Sequence, residues 1–268
     1  MIASFRMYEA VPRAAGAWRR LFERVFADVG QKIEIIEHRW PQPIDDLWGR
    51  PDLCCAFMCG WPFVRRRNAM QAIAAPVPSL PRYAGLPRYC SEFLVREESG
   101  WRSLEETFGH RFGWMTMESQ SGFNAPRAYL ARFITRERPA LFAEVRGPLG
   151  TPGKTLEALR SGDVDVVAAD SYFLDLCRDH EPERVAGLRC VGRTPWTPIP
   201  LLVAAPGVDA SVVATLCQHL LGLHEQPHYR ALLADVLLSR FVAPDVGSYL
   251  ELESMAREAA RIGYEVIR

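Results

Sequence analysis

Residues 118–130, Glu-Ser-Gln-Ser-Gly-Phe-Asn-Ala-Pro-Arg-Ala-Tyr-Leu, bring together two hydroxyls, a glycine and a proline that opens a helix. Such a segment can hold an anion. The first N–H groups of a helix lack intrahelical acceptors and carry partial positive charge. Ser119 and Ser121 add donors, and Gly122 lets an oxyanion approach the backbone closely. The same residues also fit an ordinary N-cap and turn, because Ser and Asn are the usual capping residues. Asp170 is equally two-sided. It closes the apolar run Val164–Asp170 and precedes Ser171, so it fits a ligand-facing carboxylate at a strand end or the cap of the next helix. Trp196, within the proline-rich stretch 194–200, fits a pocket wall or packing at a chain crossing.

Other chemistries find less support. G-x-S-x-G is absent and no nucleophile–base pair stands out, so no catalytic residue is assigned. Cys217, His219, His224 and His228 are close in sequence, but Gly222 and Pro227 interrupt them and one helix face cannot carry all four. Neither a metal nor a cofactor is expected. The seven cysteines lack paired CxxC spacing and lie mostly in apolar stretches, which suits buried free thiols in a reducing compartment.

The 268 residues are 49% hydrophobic and 24% charged, a globular composition with room for two lobes. Lys plus Arg equals Asp plus Glu, 32 each, so no net charge draws nucleic acid or an anionic membrane. Arg65, Arg66 and Arg67 are the one dense basic run and read as the solvated start of a helix. No apolar run reaches the roughly 18 residues of a membrane helix, so direct membrane insertion is not expected. The first residues lack a basic region followed by an apolar one. The cytoplasm is therefore expected as the sequence stands, and the periplasm if a signal segment precedes it.

The elements that must position Ser119 and Asp170 alternate between apolar runs and amphipathic segments, which predicts an α/β protein. Strands are expected at 3–10, 32–38, 53–58, 88–97, 111–116, 164–170, 188–192 and 201–205. Helices are expected at 12–29, 126–135, 155–160, 209–221, 227–238 and 246–262, with a short one beginning at the Ser103–Glu106 capping box. Residues 76–87, rich in Pro and Gly, read as irregular. Two long extended segments, 89–97 and 196–205, could each cross between lobes. That implies lobe one at 1–89 and 196–268, and an inserted lobe two at 90–195. Two crossing strands form the hinge.

This order of motifs resembles the phosphate/phosphite/phosphonate-binding proteins of ABC importers, which have the type 2 periplasmic-binding-protein fold. The matching pieces are 52–62 (DLCCAFMCGWP), 89–95 with Ser99-Gly100, 119–126 (SQSGFNAP), Gly162-Asp163-Val164-Asp165 with Asp170-Ser171, 194–200 and Tyr249. The resemblance implies two lobes, each a mixed sheet flanked by helices, closing on a small anion. It implies that Ser119, Ser121 and Gly122, with the adjoining Phe123 and Asn124, grip the oxyanion. It implies that Asp170 holds an amine or other polar group, and that aromatic residues of lobe one, Tyr8 and Trp61 by position, close over the ligand. Thr151 and Lys154 stand where the phosphonate binders tend to carry a histidine and a serine. An ABC permease or a regulatory protein is the partner so implied. The rival reading is an intracellular enzyme on the same fold, acting on a small carboxylate or phosphorylated metabolite.

Overall fold

The computed structural model describes residues 1–39, 41–66 and 69–268. In chain order it opens with β1 (Ile2–Ser4), α1 (Pro12–Asp28), β2 (Glu34–Ile35), α2 (Ile44–Trp48), β3 (Leu53–Met58), α3 (Gly60–Arg65), β4 (Gln71–Pro78) and β5 (Arg88–Tyr89). There follow β6 (Ser91–Arg96), β7 (Arg111–Gly113), α4 (Ala125–Leu130), β8 (Glu144–Arg146), α5 (Pro152–Arg160), β9 (Val166–Asp170), α6 (Ser171–His180), β10 (Leu188–Arg193) and β11 (Thr197–Pro198). The chain ends with β12 (Leu201–Ala204), α7 (Ala210–Gly222), α8 (Arg230–Asp235), β13 (Leu238–Val242) and α9 (Glu251–Arg261).

These elements form two compact units. The first comprises Met1–Arg88 and Pro198–Ser248, the second Tyr89–Thr197 and Tyr249–Arg268. The short strands β5 and β11, which pair with each other, contain two of the crossings. A third crossing follows Ser248. It puts α9 and the C-terminus in the second unit, not in the first lobe as expected from sequence. The reason is packing. Ala259, Tyr264 and Ile267 join the second unit's apolar cluster, beside Phe93, Phe112, Leu130 and Val166.

The first unit carries a six-stranded sheet in the order β13-β4-β12-β3-β1-β2, with β1 parallel to β2 and β3. All six residues of β3 are buried, as expected for a strand covered on both faces. Pro12 stands at the first position of α1, where its missing N–H costs nothing. Ala14, Ala17, Trp18, Leu21, Phe22 and Val25 form the buried stripe of that helix. Trp18 stacks toward Phe22 and meets Phe57 of β3 edge-on, with centroids 5.0 Å apart. Burying each such ring contributes roughly 1.5–3 kcal/mol.

The second unit carries a five-stranded sheet, β10-β6-β9-β7-β8. β7 runs parallel to β8 and β9, and β6 runs antiparallel to β9 and β10. Asp165 ties this sheet's far end together, accepting from Arg96 Nη2 at 2.9 Å and from Arg111 Nε and Nη2 at 2.8 Å each. Burial pushes its carboxyl up, but those hydrogen bonds outweigh it and hold the group down at about 2.

Several expected elements are shorter or different. The strand expected at 3–10 stops at Ser4 and gives way to a 3₁₀ turn, Arg6–Tyr8. Residues 76–78, expected to be irregular, belong to β4. Pairing of β4 with β12 ends at Ala74, and Pro76 and Pro78 face β13 alone, so their missing N–H groups break no central ladder. The apolar run 232–242 is split between α8 and the strand β13, with Leu237 at φ +52° making the turn. Periodicity does not decide helix from strand over so short an apolar run. Arg65 ends α3 rather than starting a helix, and Arg67 lies outside the described residues.

Candidate anion-binding site

In the second unit, the chain leaving β7 turns through a π-helical segment, Gln120–Asn124, directly into α4. Ser119 caps it, its Oγ accepting from the Gly122 N–H at 2.8 Å. The Asn124 N–H reaches back to the Ser119 carbonyl at 3.0 Å, the five-residue spacing that widens the turn. Gly122 is obligatory here, since a Cβ would stand 2.7 Å from Met115 Cβ and 3.0 Å from Ser119 Oγ. The Ser121 hydroxyl makes no hydrogen bond among the described residues, and Ser121 keeps 7% of its surface exposed. Phe123 packs on Trp114 with centroids 5.3 Å apart, which fixes the turn against the end of β7.

Behind the turn lies a network that the sequence did not announce. Asn124, fully buried, donates to Gln120 Oε1 at 2.8 Å and to the Leu252 carbonyl at 3.2 Å. Its Oδ1 accepts from Arg127 Nη2 at 2.9 Å. Arg127 Nη1 donates to the Glu265 carbonyl at 2.8 Å, and the guanidinium lies over the Phe123 ring. Arg127 is only 7% exposed, its Nε has no partner, and no carboxylate forms an ion pair with it among the described residues. Burial lowers its pKa, the expected response of a desolvated cation. A buried positive charge therefore backs the hydroxyl-rich turn. The signal in sequence was one turn away, an Arg three residues after Asn124 on the first turn of α4.

The neighbouring strand brings Asp170 and Ser91 to the same sheet edge. Asp170 caps α6, its Oδ1 accepting from the N–H groups of Tyr172 at 2.7 Å and Phe173 at 3.0 Å. The capping geometry weighed for Asp170 and for Ser119 is thus present at both. Ser91 lies directly across the ladder from Asp170, so the two side chains share a face. Its buried hydroxyl has no hydrogen-bond partner among the described residues. The sequence reading assigned Ser91 no role. Thr151 caps α5, accepting from the Lys154 N–H at 3.2 Å.

In the first unit, Trp61 lies in the first turn of α3, just beyond the carboxyl end of β3, with Arg65 stacked 5.5 Å from its ring. Tyr8 is fully buried, 5.0 Å from Phe57 and 6.4 Å from Trp18, as part of the aromatic core. Among the four Cys and His side chains weighed as metal ligands, His219 and His228 turn to other partners. His219 Nε2 meets the Tyr229 hydroxyl at 3.1 Å, that hydroxyl donates to Asp28 at 2.9 Å, and His228 approaches Asp28 at 3.5 Å. All seven cysteines are free thiols, and burial pushes Cys54 up to about 11 and Cys177 up to about 12.

A family model described as the phosphonate periplasmic substrate-binding protein of ABC transporters matches residues 49–249, well over half of the chain. The chain belongs to this family. By that description the family's members are periplasmic substrate-binding proteins. Among curated proteins none matches. Solved structures do. The binding-protein component of an ABC phosphonate transporter from Pseudomonas aeruginosa is 17% identical over 98% of this chain and 87% of its own, with a TM-score of 0.82. PhnD1 from Prochlorococcus marinus, in complex with methylphosphonate, is 17% identical over 97% and 98%, with a TM-score of 0.78. A Xanthomonas citri protein bound to ATP is 19% identical over 99% and 98%, with a TM-score of 0.65. At these identities the likeness establishes the fold, the type 2 periplasmic-binding-protein fold expected from the motif order. No helix among the described residues is long and apolar enough to cross a membrane.

Proposed function

We propose that this chain binds a small phosphonate- or phosphate-like oxyanion on the Ser119–Asn124 turn and delivers it to an ABC permease. The buried Arg127 guanidinium carries the argument. A cation so desolvated, with the Glu265 charge near it but no ion pair among the described residues, is stabilised further by an anion held at the turn. The ligand oxyanion accepts from the Ser121 hydroxyl and from the N–H groups that open the turn, with Ser119 and Gly122 shaping the loop and Phe123 and Asn124 holding it. Asp170 and Ser91, on the same edge of the sheet, receive the ligand's hydrogen-bond donors. Tyr8 supports the first unit from within its core, and Trp61 is the aromatic residue offered to the ligand there.

The proposal includes capture by closure of the two units, binding without chemical change, and work in the periplasm as the family's description has it. The test is a titration panel of methylphosphonate, phosphite and inorganic phosphate, followed by calorimetry and small-angle scattering. At least one should bind in the micromolar range or tighter, compact the protein and return unchanged by ³¹P NMR. If none binds, or binding survives intact in Ser121→Ala and Arg127→Leu, the reading is wrong.

A further inference from the structure

We propose that Glu265 is a positioning residue of the anion turn that holds its affinity down: it fixes Arg127 and damps the charge that Arg127 presents to a bound oxyanion. The inference rests on the reading that the Ser119–Asn124 turn holds the ligand, and every group it invokes lies in the second unit.

The residues that follow α9 are firmly seated. Tyr264 and Ile267 are buried in the second unit's apolar cluster. The Arg268 carbonyl accepts from the Leu141 N–H at 2.7 Å, and the Arg268 guanidinium donates to the carbonyls of Pro139 at 3.0 Å and Gly263 at 2.8 Å. The Tyr264 hydroxyl closes this segment on itself, meeting the Arg268 backbone at 3.2 Å. Glu265 is exposed but stands between those two buried anchors, so its backbone is fixed. Its carbonyl accepts from Arg127 Nη1 at 2.8 Å.

A buried arginine is stabilised most simply by a carboxylate in contact with it. Glu265 supplies its carbonyl instead. Its carboxylate makes no ion pair or hydrogen bond among the described residues. The carboxylate nevertheless acts on Arg127 from a distance, favouring the charged guanidinium against the larger effect of burial. An anion on the turn feels both charges, attraction to Arg127 and repulsion from Glu265, across the same partly desolvated space. Arg127 thus remains open to the ligand while its field is reduced. Affinity differences at one site fall mostly on the off-rate, so the damping shortens the ligand's stay. That suits a protein that must hand its ligand on.

The test is calorimetric titration of methylphosphonate and inorganic phosphate into the wild type, Glu265→Gln, Glu265→Lys and Glu265→Asp, with thermal melts of each. All three substitutions keep the backbone carbonyl, and with it the bond to Arg127. At low salt, Glu265→Gln should bind about two- to threefold tighter than the wild type and Glu265→Lys about fivefold tighter. Glu265→Asp, which restores the charge, should forfeit most of that gain. In about 1 M salt the gains should shrink, because exposed charges are then screened within about 3 Å. A role in packing alone would lower the melting temperature without tightening binding. Glu265→Gln and Glu265→Lys variants that bind no tighter than the wild type, or gains that persist undiminished at high salt, overturn the role of Glu265 and leave the oxyanion reading standing. A wild type that binds neither ligand overturns both.

Discussion

The carboxyl edges of the two sheets are built in opposite ways. In the second unit the edge is dry and tightly wired. Ser119, Gln120, Asn124 and Arg127 are buried and joined in one hydrogen-bonded network, and the single cation sits behind the turn. In the first unit the edge is wetter and openly charged, with Arg6 and Glu9 half-buried around His38. A dry network fixes one geometry, because every unmet bond in it costs the full desolvation of a polar group. A half-solvated edge is cheaper to alter. The dry edge should therefore tolerate substitution less than the wetter one.

The largest effect should come from breaking the network at its cation. Arg127→Leu leaves Asn124 Oδ1 and the Glu265 carbonyl without their donor, and removes the charge behind the turn. Denaturant unfolding should show a loss of about 2–3 kcal/mol, and methylphosphonate affinity should fall more than tenfold. A variant of unchanged affinity would mean that the buried charge does not serve the turn. Next is Gly122→Ala, whose Cβ would overlap Met115 and crowd Ser119. Overpacking of this kind costs about 1–3 kcal/mol, and binding should be lost with the turn's shape. Thermal melts and a titration report both.

A smaller effect probes the second unit away from the site. Asp165 is held down at about 2 by Arg111 and Arg96, against the opposing effect of burial. Its folded pKa lies below the unfolded one, so its contribution is complete above about pH 4 and fades as pH falls toward 2. Asp165→Asn should flatten that part of the stability-against-pH curve, measured by chemical denaturation. The smallest stability effect is expected at the first unit's edge. Arg6→Gln should change unfolding free energy by no more than about 0.5 kcal/mol, as for most substitutions on a solvated surface. A drop of several kcal/mol there would erase the contrast between the edges.

Much of the fold was legible in the sequence, for reasons that particular residues make plain. α1 was readable from Pro12 and its apolar stripe, β3 and β9 from continuous apolar runs, and α7 from its Asp209 cap. Whether a short apolar stretch becomes strand or helix was not readable, as β13 shows, because tertiary pairing decides it. The third crossing after Ser248 was hidden because α9 is amphipathic whichever sheet it covers. The Ser119–Asn124 segment was visible by residue type, yet its wiring was not. Arg127 reads as an ordinary helix residue, and Asn124 as part of the anion turn alone, until Leu252 and Glu265, more than 120 positions later, supply their acceptors. Tyr8 was visible as an aromatic near the strand end, but the turn at Arg6–Tyr8 rotates it into the core and leaves Arg6 at the edge.

The most direct test of the central claim is a calorimetric titration of methylphosphonate into the wild-type chain and into Ser121→Ala. The Ser121 hydroxyl has no hydrogen-bond partner among the described residues, so its removal should leave the melting temperature almost unchanged. The account predicts that affinity nevertheless falls about tenfold, the worth of one hydrogen bond to a charged group. Equal affinities in the two proteins, at equal stability, would contradict it.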